Sequence, residues 1–169
     1  MEVLEQNNVQ DKVDIHIGLN LKNRKTIVKR LSKLLADEQV LFTKLRNYHW
    51  NVKGMFFQTL HLFFEEQYTV LFTVTDDIAE RIRSLGEYSI GSLSAFLDNT
   101  RVKETNHLDG NAKEMLQNIL VDHEFIIQKL RSDIKITQAL KDEGTADFLI
   151  GLMQQHEKMA WMVRSHLGQ

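Results

Sequence analysis

Five side chains of types that bind metals lie within one stretch of the chain, between residues 48 and 85. They are His49, His61, Glu65, Asp76 and Glu80. Imidazole nitrogen and carboxylate oxygen are ligands for Fe(II), Mn(II) and Zn(II), and the sequence has no cysteine to supply sulfur. Such groups on an apolar helix cost desolvation free energy unless they are paired or bound to a metal. The residue types therefore predict a metal site with nitrogen and oxygen ligands.

The last four of these residues fall in a segment that predicts one long helix, residues 56–85. It contains no glycine or proline, and its apolar residues recur close to every 3.6 positions, at Leu60, Phe64, Leu71, Val74 and Ile78. At about 100° per residue, the four candidates share one stripe of this helix. His61 and Asp76 are nevertheless fifteen positions apart, which is about 22 Å along a helix that rises about 1.5 Å per residue. A single copy of the helix cannot bring both to one ion.

Two antiparallel copies of the helix would remove this difficulty, because the spacing of the candidates is symmetric. The midpoint of His61 and Glu80 falls between positions 70 and 71, and Glu65 and Asp76 have the same midpoint. A two-fold axis there would bring the first two ligands of one chain against the two acids of the other, and the symmetry would produce the site twice. The sequence thus predicts a symmetric dimer with two metal sites, each built from both chains.

His49 joins the first half of this site if the chain reverses near residues 53–55. It lies six positions before Met55, and His61 lies six positions after it. The two histidines would then face each other across an αα-hairpin. A lone histidine on such a face is more often a core residue with a satisfied hydrogen bond, so the prediction depends on the whole set. The alternative for the two acids is a surface pair bonded to Lys53, Arg81 or Arg83.

Composition predicts the class of fold. The chain has 169 residues, no proline, 8 glycines and 43% hydrophobic residues, which favours one mostly helical domain. The absence of cysteine excludes disulfides. No apolar run is long enough to span a bilayer and no signal-peptide pattern is found, so we expect a cytoplasmic location without membrane contact. The net charge of −2 gives no general argument for nucleic acid.

The periodicity divides the chain into a flexible N-terminal arm, residues 1–22, and a helical domain, residues 23–168. Long helices are predicted over residues 23–52, 56–85, 109 or 111 to 139, and 143–167. The connection over residues 86–108 is long and holds a short apolar segment, so it predicts a crossover with a short helix. Four long helices with one crossover make an all-α, ferritin-like four-helix bundle.

The remaining histidines give weaker evidence for a metal site. His123 and His156 lie in mid-helix and are interpreted as core or groove residues, whereas His16, His107 and His166 are interpreted as surface residues. No predicted helix carries a Glu-x-x-His pair, and the chain has no His-Glu-x-x-His motif, P-loop or dinucleotide-binding turn.

At the candidate ligands the sequence resembles the Dps family of mini-ferritins. The matching text is His-Trp-Asn-x-x-Gly at residues 49–54, His61 twelve residues after His49, Asp-x-x-Ala-Glu-Arg at residues 76–81, and Leu-Gly at 85–86. The resemblance implies a hollow dodecamer with dinuclear iron sites between two-fold-related subunits. It implies oxidation of Fe(II), preferentially by hydrogen peroxide rather than dioxygen, and storage of ferric mineral, with Zn(II) or Mn(II) able to replace iron.

Carried over by position, the resemblance assigns His49, His61 and Glu65 to one subunit and Asp76 and Glu80 to its partner. The family often has aspartate where this chain has Glu65. Trp50 would sit beside the site, where its role is either packing alone or, as the alternative, packing together with interception of stray oxidant. Iron would enter through three-fold pores lined by acids near the start of the last helix, for which the candidates are Asp142, Glu143 and Asp147. The alternative for these acids is an ordinary helix start, where negative charge favours the helix dipole.

DNA binding is the property in which this chain departs from the family name. Members that coat DNA often use a lysine-rich tail, whereas the arm before Lys22 has four acids and one lysine, at Glu2, Glu5, Asp11, Asp14 and Lys12. Phosphate binding requires lysine or arginine, so we expect weak or no DNA binding. The basic opening of the first helix is the counter-argument. The rival functions are thus a nucleoid-associated DNA-protecting protein with minor iron chemistry, and a helical bundle that merely dimerises.

Overall fold

The computed structural model describes residues 15–105 and 110–168, and within these ranges it contains five helices and no strand. The helices are α1 (Leu21–Asn51), α2 (Phe57–Ser84), α3 (Leu93–Asn99), α4 (Ala112–Ala139) and α5 (Glu143–Leu167). None of them is long and apolar enough to cross a membrane. The architecture confirms the predicted all-α bundle of four long helices, with a short helix in the connection between the second and the third.

The ends of the helices follow from capping groups. The α1 helix begins two residues before the predicted start, because the side chain of Asn20 accepts a hydrogen bond from the backbone N–H of Asn23 at 2.9 Å. Asn111 caps α4 in the same way, while the alternative start at Asp109 lies outside the described residues. Gly168 ends α5 with φ +75°, a left-handed conformation that glycine adopts without strain. Of the predicted arm, residues 1–14 lie outside the described part of the chain.

The four long helices pack as two hairpins. The α1 helix lies along α2, and α4 lies along α5; the short connections make each pair antiparallel. The interior is apolar and tightly filled, and its largest fully buried side chains include Tyr48, Phe64, Leu71, Ile78 and Ile119. The shorter α3 lies against α1. The hairpin of α1 and α2 is the element that carries every candidate metal ligand.

A buried ion pair fastens the crossover to α1. The carboxylate of Asp37, with no exposed surface, accepts hydrogen bonds from Arg101 through Nε at 2.9 Å and Nη2 at 2.6 Å. It also accepts one from the Arg101 backbone N–H at 2.5 Å and one from the Thr100 hydroxyl at 3.2 Å. A buried charge is tolerated when its oxygens are saturated in this way. The long connection therefore has a defined place on the bundle.

A second polar element crosses the centre of the bundle. It is a chain of four buried side chains, one from each long helix, which we call the core relay: Glu38, His156, His123 and Gln67. Glu38 Oε1 lies 2.9 Å from His156 Nε2, the two histidine Nδ1 atoms are 2.9 Å apart, and His123 Nε2 lies 3.2 Å from Gln67 Oε1. Both histidines are core residues, as interpreted from the sequence. These three hydrogen bonds tie the two hairpins together at one level of the bundle.

The core relay makes stability depend on pH. Burial, and secondarily the neighbouring His156, lower the pKa of His123 well below its ordinary value. The folded state therefore binds a proton at this site less readily than the unfolded state. The stability is fully present above the unfolded pKa of about 6.5 and is lost as pH falls from there toward the folded pKa, with a slope of up to about 1.4 kcal/mol per pH unit.

We predict that the free energy of unfolding of the wild type falls between pH 7 and pH 5 and that His123→Gln shows a shallower decrease, because glutamine has no proton to gain. Chemical denaturation at several pH values, at one protein concentration, measures this. His166→Gln is the matched control, because His166 is exposed and should leave the slope unchanged. Equal slopes for wild type and His123→Gln would contradict the assignment.

Candidate metal site

The site is built at the turn that joins α1 to α2. The last turn of α1 contains His49, and His61 lies in the second turn of α2. Between them Gly54 adopts φ +107°, a left-handed conformation that favours glycine, and its carbonyl accepts a hydrogen bond from the backbone N–H of Phe57. The tight reversal predicted near residues 53–55 is present. It brings residues twelve positions apart in sequence into contact.

The two histidines hold each other in place through reciprocal hydrogen bonds. The Nδ1 of His49 lies 2.7 Å from the backbone carbonyl oxygen of His61, and the Nδ1 of His61 lies 2.8 Å from that of His49. A carbonyl oxygen only accepts, so both Nδ1 atoms must donate a proton. In the neutral imidazole the Nε2 atom then carries the free lone pair, which is the atom that binds a metal. The backbone thus prepares both side chains as ligands.

Ring packing fixes the same two side chains. The imidazoles stack with their centroids 3.7 Å apart and their planes at 19°. Phe57 stacks on the outer side of His61 at 5.1 Å, and Tyr68 meets the His49 ring edge-on at 5.3 Å. Both imidazoles are therefore restrained by rings and hydrogen bonds before any ion arrives. Such restraint lowers the entropy that metal binding must overcome.

Glu65 completes a three-ligand set with the histidines. It lies one helical turn after His61, and one ligand atom from each of the three side chains falls within 4.8 Å of the others. His49 is 8% exposed, whereas His61 and Glu65 are half-buried, so the set opens toward solvent on one side. Two ligand atoms on one ion at bonds of about 2.1 Å are separated by at most about 4.2 Å. A small closure would therefore let all three bind one ion and leave coordination positions free.

Tyr68 also contacts this set, and the sequence interpretation missed it. Its hydroxyl group lies 3.5 Å from Glu65 Oε1 and donates to it. Burial, and then the negative charge of Glu65, raise the pKa of Tyr68, so the phenol keeps its proton at neutral pH. A signal was available: Tyr68 lies three positions after Glu65 and seven after His61, which places all three on one face of α2.

The two other predicted ligands do not join the set within one chain. Asp76 and Glu80 are exposed on α2, and neither forms a hydrogen bond or ion pair within residues 15–105 and 110–168. Arg81 instead bonds to Asp142 at 3.0 Å and to Thr145 at 2.8 Å, and Arg83 bonds to the carbonyl of Glu87 at 3.0 Å. A surface pair with these two arginines is therefore not what the structure shows.

The surface of α2 that carries these acids also exposes apolar side chains. Leu62 is 45% exposed, Val70 40% and Phe72 67%. Val70 and Phe72 lie next to the midpoint about which the ligand spacing is symmetric. At about 100° per residue, Leu62 and Phe72 lie on the stripe of the candidate ligands, and Val70 lies beside it. Exposed large apolar side chains on such a stripe are typical of a contact surface. In a single chain this face of the helix is not covered.

Trp50 forms no ring contact or hydrogen bond with the candidate ligands among the described residues. Its ring is 62% exposed and lies against the guanidinium of Arg46, with the Arg46 carbon 4.9 Å from the ring centroid. Among the tyrosines and tryptophans, all of which fall in the described ranges, Tyr68 is the one with both a ring contact and a hydrogen bond to the candidate ligands. Among the tyrosines and tryptophans, the one that contacts the ligands within one chain is therefore Tyr68. The place of Trp50 beside a site shared by two chains stays a prediction.

The acids at the start of α5 differ in their surroundings. Asp142 is 4% exposed and caps the helix by accepting hydrogen bonds from the backbone N–H of Thr145 at 2.9 Å and from its hydroxyl at 2.5 Å. It also forms the ion pair with Arg81. Glu143 and Asp147 are exposed and lie one helical turn apart. Of the three candidate pore acids, these two alone present carboxylates to solvent.

Comparison with known proteins agrees with this fold. A ferritin-like domain model matches residues 28–169. The DNA protection during starvation protein 2 of Bacillus anthracis is 40% identical over 145 residues, which cover 86% of this chain and 99% of that protein. The chain belongs to the Dps family. Dps proteins are generally iron-binding, oligomeric and protective against oxidative stress, and the predicted family is therefore confirmed.

Two further relatives extend the comparison. A low temperature-induced protein of a Nostoc species, whose function is uncharacterized, is 42% identical over 154 residues, covering 90% of this chain and 86% of that one. The crystal structure of the Vibrio cholerae O1 Dps protein superposes with a TM-score of 0.83 at 30% identity and covers 91% of this chain and 99% of that one. That protein is described as a member of the ferritin-like diiron-carboxylate superfamily. The donor set of this chain, two imidazole nitrogens and a carboxylate oxygen, fits iron.

The different surroundings of the α5 acids can be tested. We predict that Asp142→Ala lowers the free energy of unfolding by about 2–4 kcal/mol, because it removes a helix cap and leaves Arg81 without its carboxylate. The exposed Asp147→Ala should change it by less than about 0.5 kcal/mol. Chemical denaturation of both variants measures this. Similar, small effects would show that Asp142 does not brace the start of α5.

Proposed function

We propose that this Dps protein is a ferroxidase and iron-storage protein that oxidises Fe(II), preferentially with hydrogen peroxide, at sites shared by two subunits. The observation that carries the proposal is the pair of reciprocal histidine hydrogen bonds, because it leaves both Nε2 lone pairs free beside Glu65. A pair of core histidines with only a structural role would not need to leave these atoms open toward a carboxylate. Here the chain supplies half of a metal site.

The other half of the site is proposed to come from the partner subunit. Asp76 and Glu80 are exposed and unpaired within the described residues, and their spacing mirrors that of Glu65 and His61. The exposed Leu62 and Phe72, on the same stripe of α2, would bury against their symmetry mates. The complete site then has two imidazoles and three carboxylates, enough to hold two ions with one carboxylate, such as Glu80, bridging them.

Two Fe(II) ions in one site match the chemistry of peroxide. Hydrogen peroxide accepts two electrons when its O–O bond is cleaved, and each Fe(II) ion donates one. The balanced step converts two Fe(II) and one peroxide to two Fe(III) and two hydroxide ions, so no one-electron product is released. Zn(II) or Mn(II) would be held by the same donors. Zn(II) has no redox chemistry and would inhibit the reaction.

Storage requires an enclosed space, and the proposed assembly is a dodecamer of this chain. Fe(II) would enter past the exposed carboxylates of Glu143 and Asp147, repeated around three-fold axes, with Asp142 holding the start of α5 in place. Like charges gathered around a pore attract cations and raise their local concentration. Twelve chains of 19.7 kDa correspond to about 240 kDa, a mass that light scattering after size exclusion can check.

Sharing of the site between subunits predicts complementation. We expect His49→Ala with His61→Ala to abolish peroxide-driven Fe(II) oxidation, and Asp76→Ala with Glu80→Ala to do the same. In a hybrid dimer of the two variants, one site receives both intact halves and the other receives neither. When the variants are co-expressed and mix at random, about a quarter of the sites should be restored. The rate of Fe(III) formation, followed by absorbance, measures this.

The controls separate assembly from chemistry. Each variant alone must elute at the same mass as the wild type, and the separately assembled variants, combined without subunit exchange, must stay inactive. Arg83→Ala serves as a matched surface change on α2, because Arg83 bonds to Glu87 and not to a ligand. No recovery of activity in co-expressed, correctly assembled protein would refute a shared site. Full activity of either variant alone would refute the assignment of the ligands.

A second candidate function is DNA binding, which the names of several relatives suggest for those proteins. The observation in its favour is the exposed basic surface at the start of α1, which consists of Lys22, Lys25 and Lys29. Two further basic residues of this region are used internally, because Arg24 donates to the carbonyl of Leu85 at 3.2 Å and Arg30 pairs with Asp133 at 2.6 Å. This leaves a small basic patch on a chain of net charge −2.

We predict that the assembled protein does not retard plasmid DNA at about 0.15 M salt and does so weakly at low salt, because few lysines are free to contact phosphate. A gel retardation series in salt measures this. Changing Lys22, Lys25 and Lys29 together to glutamine should remove the low-salt binding. Strong retardation at physiological salt, lost in that triple variant, would favour the DNA-protecting function.

A further inference from the structure

We propose that the core relay is a proton-binding site, in which Glu38 and His156 together hold one proton more than a carboxylate and a neutral imidazole carry. The site lies inside the bundle, and the inference does not depend on the proposed iron chemistry. Its ligand is a single proton, bound where side chains of the two hairpins meet. A count of the donors and acceptors along the relay leads to this site.

The relay consists of three hydrogen-bonded contacts between two oxygen ends. Glu38 Oε1 lies 2.9 Å from Nε2 of His156, and Gln67 Oε1 lies 3.2 Å from Nε2 of His123. Between these ends the Nδ1 atoms of the two histidines face each other at 2.9 Å. Each contact needs one hydrogen atom. Two neutral imidazoles carry two, whereas an ionised carboxylate and an amide oxygen carry none. A third proton is therefore required.

The directions of the bonds locate this third proton. Gln67 Oε1 only accepts, so His123 donates from Nε2 and accepts at Nδ1. His156 must then donate from Nδ1. The last contact is made either by a histidinium that donates from Nε2 to the Glu38 carboxylate or by a protonated Glu38 that donates to the ring. Burial, and then the neighbouring His156, lower the pKa of His123, which agrees with a neutral His123 and an extra proton on the pair.

The burial of Glu38 supports the same count. Its side chain has no exposed surface, its Oε1 has His156 as partner, and its Oε2 has no hydrogen-bond partner. An ionised carboxylate held in the core by one neutral imidazole would be an uncompensated charge, which is costly. With the third proton the relay is neutral overall. A buried carboxyl group is then compatible with a stable bundle.

No lysine or arginine supplies the missing positive charge among the described residues. The charged side chains within two positions of the relay residues are acids, with one exception, and several of these acids have their own cation: Asp37 with Arg101, Asp122 with Lys44, Glu124 with Arg164, and Glu157 with Arg131. The exception is Lys158, which is exposed. Compensation of Glu38 therefore falls to the proton.

One other arrangement would need no third proton. If the amide of Gln67 is rotated by half a turn, its Nε2 donates to His123, His123 donates from Nδ1, and His156 donates from Nε2 to Glu38. That arrangement leaves the charge of Glu38 uncompensated. The two arrangements place the proton of His123 on different atoms, Nε2 in the proposed form and Nδ1 in the rotated form. The tautomer of His123 therefore distinguishes them.

The consequence is that closure of the bundle takes up a proton. In the unfolded chain at about pH 8 an exposed glutamate is ionised and an exposed histidine is neutral. The pair formed by Glu38 and His156 then has no extra proton. When the two hairpins pack together, the relay binds one from solvent. Proton binding and the contact between the hairpins are linked, so each favours the other.

The first test is solid-state nuclear magnetic resonance of the assembled, full-length wild type at about pH 8. Uniform isotope labelling allows assignment through the backbone, and the nitrogen chemical shifts distinguish protonated from unprotonated ring nitrogens. We expect His123 to be protonated at Nε2 alone and His156 to be protonated at Nδ1. Protonation of His123 at Nδ1, alone or together with Nε2, overturns the proposal. This test needs no variant, so it does not depend on how a substitution folds.

The second test counts the proton with the variant Glu38→Gln, whose amide can donate to His156 Nε2 in place of the third proton. Each protein is unfolded by guanidinium chloride at about pH 8 in a weakly buffered solution with an indicator dye. We expect the wild type to release about one proton more per chain than Glu38→Gln. The matched control is Glu66→Gln, an exposed acid on α2, which should release as many protons as the wild type. Equal release from wild type and Glu38→Gln overturns the proposal.

Discussion

The candidate site depends on one exchange of hydrogen bonds, in which His49 and His61 each donate from Nδ1 to the backbone carbonyl of the other. Each bond joins the side chain of one helix to the main chain of the next. The exchange therefore closes the hairpin of α1 and α2 and at the same time selects the tautomer that binds a metal. The same two hydrogen bonds therefore close the hairpin and prepare both histidines as ligands. The left-handed Gly54 makes this exchange sterically possible.

The rest of the bundle keeps that hairpin in a fixed shape. Asp37 and Arg101 fasten the crossover to α1, and the core relay joins α1 and α2 to the second hairpin through Glu38 and Gln67. Both interactions are buried and hydrogen-bonded, so they are costly to break and favour one arrangement of the helices. Unsatisfied atoms remain at the ends of the relay, on Glu38 and Gln67. A fully apolar core would pack the helices as firmly but would fix their register less strictly.

Much of the fold was predictable, because the helical period, the positions of the glycines and the length of the crossover can be read directly from the sequence. The proximity of His49, His61 and Glu65 was predictable for the same reason, since spacing along α2 places His61 and Glu65 on one face and the turn near residues 53–55 places His49 opposite them. The roles of backbone atoms were not predictable: no pattern shows that a carbonyl will accept from an imidazole twelve residues away. Asp142 illustrates a second limit, because its partner in the ion pair is Arg81, sixty-one positions earlier. Tyr68 lay on the right face of the helix, but its contact with His49 depends on the neighbouring helix.

The division of the site between two chains has a thermodynamic meaning under the proposed function. One chain offers three ligand atoms, which leaves an ion partly hydrated and weakly held, whereas a symmetric pair offers two imidazoles and three carboxylates. Ions that bind the pair more tightly than the single chain must stabilise the pair to the same extent, because binding and assembly are linked. Iron would therefore be oxidised where subunits have assembled around an interior, and an isolated chain would be a poor oxidase. Under the proposed function, the symmetric spacing on α2 would couple the oxidation of iron to the assembled shell that stores the ferric product.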